Sequence, residues 1–135
     1  MLMAEINKRV LIVDDEESIR TFAERVLRDE GYKTVVAANG QAALNLFEEQ
    51  GSFDLLLTDL MMPGIRGDEL ARRLRQIDPE LKVLYLTGYS DRLFLERPKL
   101  PENEAFVDKP VSVNGLLEAV SLMLFGHTQH TYRWR

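Results

Sequence analysis

FDLLLTDLMMPG, residues 53–64, decides the fold. Leu55, Leu56, Leu57 and Thr58 run without polar alternation, which reads as a strand covered on both faces, the habit of parallel sheets. The run ends on a carboxylate, Asp59, and a second apolar stretch then stops at Pro63-Gly64. Burying an unpaired carboxylate is costly. Asp59 therefore needs a chemical reason to stand there.

Working outward, similar short runs recur between helical segments. They are RVLIV (9–13), KTVVA (33–37), DLLLT (54–58), KVLYL (82–86) and EAFVD (104–108). After the first, Ile19, Phe22, Ala23, Val26 and Leu27 form one stripe that Gly31 stops. After the second, Asn39 is an N-cap candidate, with Ala43, Leu46 and Phe47 facing inward. The third helix carries Leu70, Leu74 and Ile77 inward and ends at Asp78-Pro79. The last begins near Ser112, turns Leu116, Val120, Met123 and Leu124 inward, and stops at Gly126. The interval after the fourth strand differs: in SDRLFLERPKLPENE, Pro98 and Pro101 restrict any helix from Ser90 to a turn or two. The order is β-α five times over, which specifies a parallel sheet with right-handed crossovers and helices on both faces.

The totals agree with one domain. The chain has 135 residues, 45% hydrophobic and 29% charged, the balance of a soluble globular protein. It has no cysteine, which excludes a disulfide framework and thiolate metal sites and suits a reducing cytoplasm. Apolar runs fall short of a membrane span, and MLMAEINKR is not a signal peptide. A net charge of -5 argues against nucleic acid as direct partner.

Ligands of such sheets bind outside the carboxyl ends of the strands, at the topological switch point. The residues at those ends are Asp14 and Asp15, Asp59, Thr87, and Lys109 followed by Pro110. Carboxylates meeting at one rim repel one another. A shared hard cation relieves this; Mg2+ takes one or two carboxylates, waters and phosphate oxygens. A carboxylate, a divalent metal, a lysine and a hydroxyl are parts suited to phosphoryl transfer onto the carboxylate.

VLIVDDEESIR, LLLTDLMMPGIRGDEL, VLYLTGYS and FVDKP, in this order and spacing, resemble the receiver domain of bacterial two-component response regulators. The resemblance covers residues from about 8 to 125. It implies a flavodoxin-like (βα)5 fold with a five-stranded parallel sheet and a short or irregular fourth helix. Residues 1–126 would form the receiver domain and 127–135 a flexible C-terminal tail. Asp59 would be the phosphoacceptor, with a histidine kinase, a phosphotransfer protein or a small phosphodonor as source. Asp14, Asp15, Asp59 and the Met61 backbone carbonyl would hold Mg2+. Thr87 and Lys109 would engage phosphoryl oxygens, and Thr87 with Phe106 would form the switch. Pro63, Gly64 and Gly67 would shape the loop beside the site, and the Lys109-Pro110 bond would be cis. The implied activity is autocatalytic phosphorylation and dephosphorylation of its own aspartate, not conventional enzymology. The output would pass to a partner protein in the cytoplasm, without direct contact with nucleic acid or membrane.

Each residue alone has a plainer reading. Asp14-Asp15 could be a solvated turn with Asp15 capping the first helix; Thr87 could be strand filler, Lys109 a surface lysine and Phe106 core. Their joint placement at one rim favours the functional reading. Pro98 and Pro101 count against the usual symmetric dimer through the fourth helix, fifth strand and fifth helix. Met61 and Tyr89, two residues beyond Asp59 and Thr87, form a bulky pair expected to slow hydrolysis of the acyl phosphate. The sequence HTQHTYRWR is an incomplete metal site, so docking onto the domain or a partner is its favoured role. Met1 and Met3 suit a natural start, and a receiver cut from a longer regulator or hybrid kinase is the alternative.

Three rival functions are weaker. A phosphohydrolase of the haloacid-dehalogenase type needs a second acid two residues after the nucleophile, where Met61 stands. A degenerate receiver serving as an interaction scaffold predicts a damaged pocket. A nucleotide-binding module lacks a Gly-rich loop after the first strand.

Overall fold

The computed structural model describes residues 6–88 and 102–126. Five strands, β1 (Arg9–Val13), β2 (Lys33–Ala37), β3 (Leu55–Thr58), β4 (Lys82–Thr87) and β5 (Glu104–Asp108), form one sheet in the order β2-β1-β3-β4-β5. Every neighbouring pair is parallel. Among the described residues the helices are α1 (Glu17–Glu30), α2 (Gly40–Gln50), α3 (Gly67–Ile77) and α4 (Val113–Phe125). The expected fourth-interval helix with Pro98 and Pro101, Tyr89, and the tail from 127 lie outside the described residues. None of the described helices is long and apolar enough to cross a membrane.

The period of two in each strand sorts the core into two layers. Leu11, Val13, Leu56, Val83 and Tyr85 face α2 and α3, against Phe47, Leu70 and Leu74. Val10, Ile12, Leu55, Leu57, Leu84 and Leu86 face α1 and α4, against Leu27, Leu116 and Val120. β3 is central and buried throughout, and each of its leucines contributes about 1.5–3 kcal/mol by leaving water. That is why its sequence shows no polar alternation.

The helix ends follow local chemistry. Asn39 caps α2, its side chain accepting from the Ala42 amide at 2.8 Å, and Ser112 caps α4 through the Gly115 amide at 2.9 Å. Gly31 ends α1 at φ 112, a left-handed conformation that glycine takes without a Cβ clash. One plainer alternative and one expectation do not hold. Asp15 does not cap α1: the N-cap is Glu16, and no side chain caps it. Ile77 is not inward but 66% exposed. α2 ends at Gln50 and the chain turns away through Gly51-Ser52, so a hollow flanks Ile77 and none of the described residues covers it.

The amino edge of the sheet is clamped by two arginines. The Arg9 guanidinium donates to the carbonyls of Gly51 at 2.8 Å and Ser52 at 2.9 Å and lies 4.3 Å from the Phe53 ring. A cation there satisfies carbonyl groups left over at the end of α2. Arg75 of α3 donates to the carbonyls of Leu81 at 3.1 Å and Asn103 at 2.8 Å, and pairs with Glu104 at 3.3 Å. Glu104 in turn accepts from the Tyr85 hydroxyl at 3.3 Å.

Candidate functional site

The register sets β1 and β3 side by side, Val13 against Thr58, so the residues that follow, Asp14 and Asp59, emerge together at the carboxyl rim. The Asp59 amide donates to the Val13 carbonyl at 3.0 Å, and the Asp14 amide to the Ala37 carbonyl at 3.3 Å. This is the switch point: the chain leaves β1 towards β2 on one side and returns to β3 on the other. Asp14 and Asp59 are buried, Asp15 is exposed, and one ligand atom from each lies within 4.8 Å of the others.

Lys109 reaches into this group from the end of β5. Its Nζ is 3.0 Å from Asp14, 3.5 Å from Asp59 and 3.7 Å from Glu16. Its amide donates to the Thr87 carbonyl at 3.1 Å, which ties the end of β5 to the end of β4. The Lys109-Pro110 bond is cis, as expected. Burial opposes the lysine charge, but the Asp14 carboxylate, with Asp59 and Glu16, more than offsets it and raises its pKa. Asp59 is pushed up to about 6, first by burial and then by Asp14 and Asp15, with Lys109 pulling the other way. The pocket thus holds more negative charge than Lys109 neutralises. A hard divalent cation with oxygen ligands fits that donor set, and Asp14, Asp15 and Asp59 are the residues able to hold it.

The other expected residues lie on β4, on β5 and just after β3. Thr87 closes β4, fully buried, in register with Asp108. Phe106 lies in register with Tyr85 and packs, half-buried, on the α2–α3 layer, a little below the rim. Met61 packs half-buried on the same layer. Gly67 is required by contact: a Cβ there would stand 2.1 Å from the Asp59 carbonyl oxygen. Its amide donates to the Leu60 carbonyl at 2.8 Å, so the loop through Pro63 and Gly64 is drawn tight.

Two supports escaped the sequence reading. The Glu16 amide donates to Asp14 Oδ1 at 2.9 Å, and Arg20 Nη1 donates to the Asp14 carbonyl at 2.7 Å. Together they hold Asp14 by both side chain and backbone. The available signal was Arg20 itself, the last residue of VLIVDDEESIR, set in the first turn of a helix beginning beside the acids. Asp14, 2% exposed, is not the solvated turn residue of the plainer reading, whereas Asp15 is exposed.

Comparison with known proteins agrees with this geometry. A model of the response regulator receiver domain matches residues 10–121. The chain is 34% identical over 117 residues to the response regulator receiver protein CpdR of Brucella abortus (strain 2308), covering 87% of this chain and 97% of that protein. It is 33% identical over 119 residues to sporulation initiation phosphotransferase F of Bacillus subtilis (strain 168), covering 88% and 95%. The response regulator protein TrrA from Thermotoga maritima, solved in complex with Mg(2+)-BeF, aligns with a TM-score of 0.73 at 38% identity, over 87% of this chain and 99% of that one. Those structures share the flavodoxin-like arrangement of five parallel strands seen here. The chain belongs to the response regulator receiver domain family.

Proposed function

We propose that the chain is a phosphoacceptor switch in which Asp59 accepts a phosphoryl group and the resulting change in shape controls a partner protein. The observation that carries this reading is the unbalanced pocket: Asp14 and Asp59 share Lys109 at 3.0 and 3.5 Å, beside Asp15. A structural ion pair would need one carboxylate. A phosphoryl site needs a nucleophile, room for cationic compensation and donors for three oxygens.

In the transfer, an Asp59 carboxylate oxygen forms a bond to phosphorus as the bond from phosphorus to the donor breaks. The donor is a phosphohistidine of a histidine kinase or phosphotransfer protein, or a small acyl phosphate. The leaving imidazole or carboxylate retains the electron pair. Asp59 must be ionised to attack, which its pKa of about 6 permits at neutral pH. Lys109 turns its ammonium to a phosphoryl oxygen, and the Thr87 hydroxyl donates to another. Asp14, Asp15, Asp59 and the Met61 carbonyl would hold Mg2+, which would supply the remaining charge compensation. Movement of Thr87 draws Phe106 inward from its half-buried position. Water then attacks the phosphorus and releases inorganic phosphate from Asp59, with the apolar Met61 side chain limiting its access.

The solved relative holding Mg(2+)-BeF supports the metal assignment, and the full-length relative named a phosphotransferase supports passage of a phosphoryl group through such a domain. A cytoplasmic location belongs with this reading. The scaffold alternative calls for a damaged pocket, and here the acidic group and Lys109 stand within contact range. The test is incubation with acetyl phosphate and Mg2+, read by intact mass. Wild type gains one phosphoryl group and Asp59→Asn gains none; prior chelation of the metal abolishes the gain. Equal uptake by both proteins would remove Asp59 from its role.

A further inference from the structure

A groove of about 810 Å³ runs between α1 and α4 and takes no part in the phosphoryl site. Its floor is apolar, with Phe22 and Val26 from α1 and Val113 and Leu117 from α4. Val113 is 49% exposed, a β-branched side chain facing water at the start of a helix. The carboxylates of Glu17 and Asp29 stand at its two ends, with Glu30 beyond Asp29 and Arg25 as the cation among them. We propose that this groove is the docking site of the chain's own C-terminal segment, residues 127–135.

The point of departure suits this. α1 and α4 both start at the carboxyl rim and end at the amino edge. Phe125, the last residue of α4, lies 6.0 Å from Lys8 Nζ, and Ile6 donates to the Gly31 carbonyl just past α1. The segment therefore leaves α4 beside the Asp29 end of the groove. α1 has 14 residues, roughly 20 Å at a helical rise of 1.5 Å. The eight residues from 127 to 134 span up to about 26–29 Å when extended. Trp134 can thus reach the floor anywhere along its length.

The sequence of the segment matches the groove's chemistry. HTQHTYRWR contains two arginines, two histidines and no carboxylate, opposite in sign to the acidic rim. In an extended chain, Tyr132 and Trp134 share one face, while Arg133 and Arg135 share the other. The aromatic pair meets Phe22, Val26, Val113 and Leu117, and the long arginine side chains curl to the rim carboxylates. Acidic and apolar surface are covered together, and the α1 flank of the acidic rim is covered with them.

Trp134 is the only tryptophan in the chain, so it reports directly on docking. The measurement is its emission and acrylamide quenching in the full chain against the free peptide HTQHTYRWR. The full chain is expected to give a blue-shifted maximum and severalfold weaker quenching, at all protein concentrations. Val113→Asp, and separately Glu17→Arg with Asp29→Arg, should each move both readouts to the peptide's values. Adding Arg133→Glu and Arg135→Glu to the latter pair should restore shielding, while far-ultraviolet dichroism stays unchanged. Trp134 as accessible as in the peptide would overturn the proposal. Shielding that grows with protein concentration would also overturn it and assign the groove to a second copy. No phosphoryl chemistry enters this test, so its outcome is independent of the role of Asp59.

Discussion

At the amino edge of the sheet, Arg75 meets Glu104 at 3.3 Å and spends its other donors on two carbonyls. At the carboxyl rim, Lys109 faces Asp14, Asp15, Asp59 and Glu16 together. Both regions bury carboxylates next to a cation, yet the first sets one carboxylate on Arg75 and the second gathers several around Lys109. Matching makes a clamp that holds β4 and β5 to α3. Excess charge makes a site, because it leaves an energetic demand that a proton, an added cation or a covalent change can meet.

The largest effect that could break this contrast is at the clamp. Arg75→Ala takes the Arg75 guanidinium away from Glu104, whose side chain is 4% exposed, and from the Leu81 and Asn103 carbonyls, and should cost about 3–5 kcal/mol in urea unfolding. Mg2+ should not recover the loss, while Arg75→Met with Glu104→Leu should recover most of it. A Mg2+-dependent recovery would erase the distinction between the two ends.

Lys109→Met should cost metal-free protein about 2 kcal/mol, less because Lys109 is partly solvated. Here millimolar Mg2+ should return most of the stability, since a ligand that binds the folded state stabilises it. Unfolding curves with and without the metal check both halves.

Asp59→Asn should stabilise the metal-free protein at pH 7 by on the order of 1–2 kcal/mol. The sign follows from a folded pKa of about 6 against an ordinary 3.8. Wild type then loses stability as pH rises from the unfolded value through about 6, and the asparagine variant does not. The gap between them should close below about pH 4. A gap that stays constant from pH 4 to 7 would mean the excess charge is not felt.

The smallest effect belongs to the exposed ion pairs on α3. Glu69 accepts from Arg72 at 2.6 Å and Arg73 at 2.9 Å. The Arg72 hydrogen bond, then that of Arg73, lowers its carboxyl to about 2. Its contribution is present above the ordinary pKa and fades as pH falls towards 2. Glu69→Gln should shift Tm by about a degree at low salt and not measurably at high salt, because solvent screens the pair.

Much of this was legible beforehand. The unbroken apolar run into Asp59 could only be a doubly covered strand, and five such runs fixed the topology and the rim. The cation that answers Asp59 was legible only through order and spacing, since a lone lysine before a proline says nothing. Arg20 and Glu16 were not legible, because their roles depend on how α1 starts and on which backbone atoms it leaves facing Asp14. Ile77 misled for the opposite reason: its helical phase is right, but α2 ends too soon to cover it. Hydrophobic period predicts a direction, and only the neighbouring element decides whether anything is there.

The contact between Gly67 and the Asp59 carbonyl has a mechanical consequence. With α3 pressed against that peptide unit and its first amide bonded to Leu60, the backbone bearing Asp59 has an anvil behind it. Added bulk on the carboxylate cannot be absorbed by recoil towards α3. A missing methyl group is what lets that anvil stand so close.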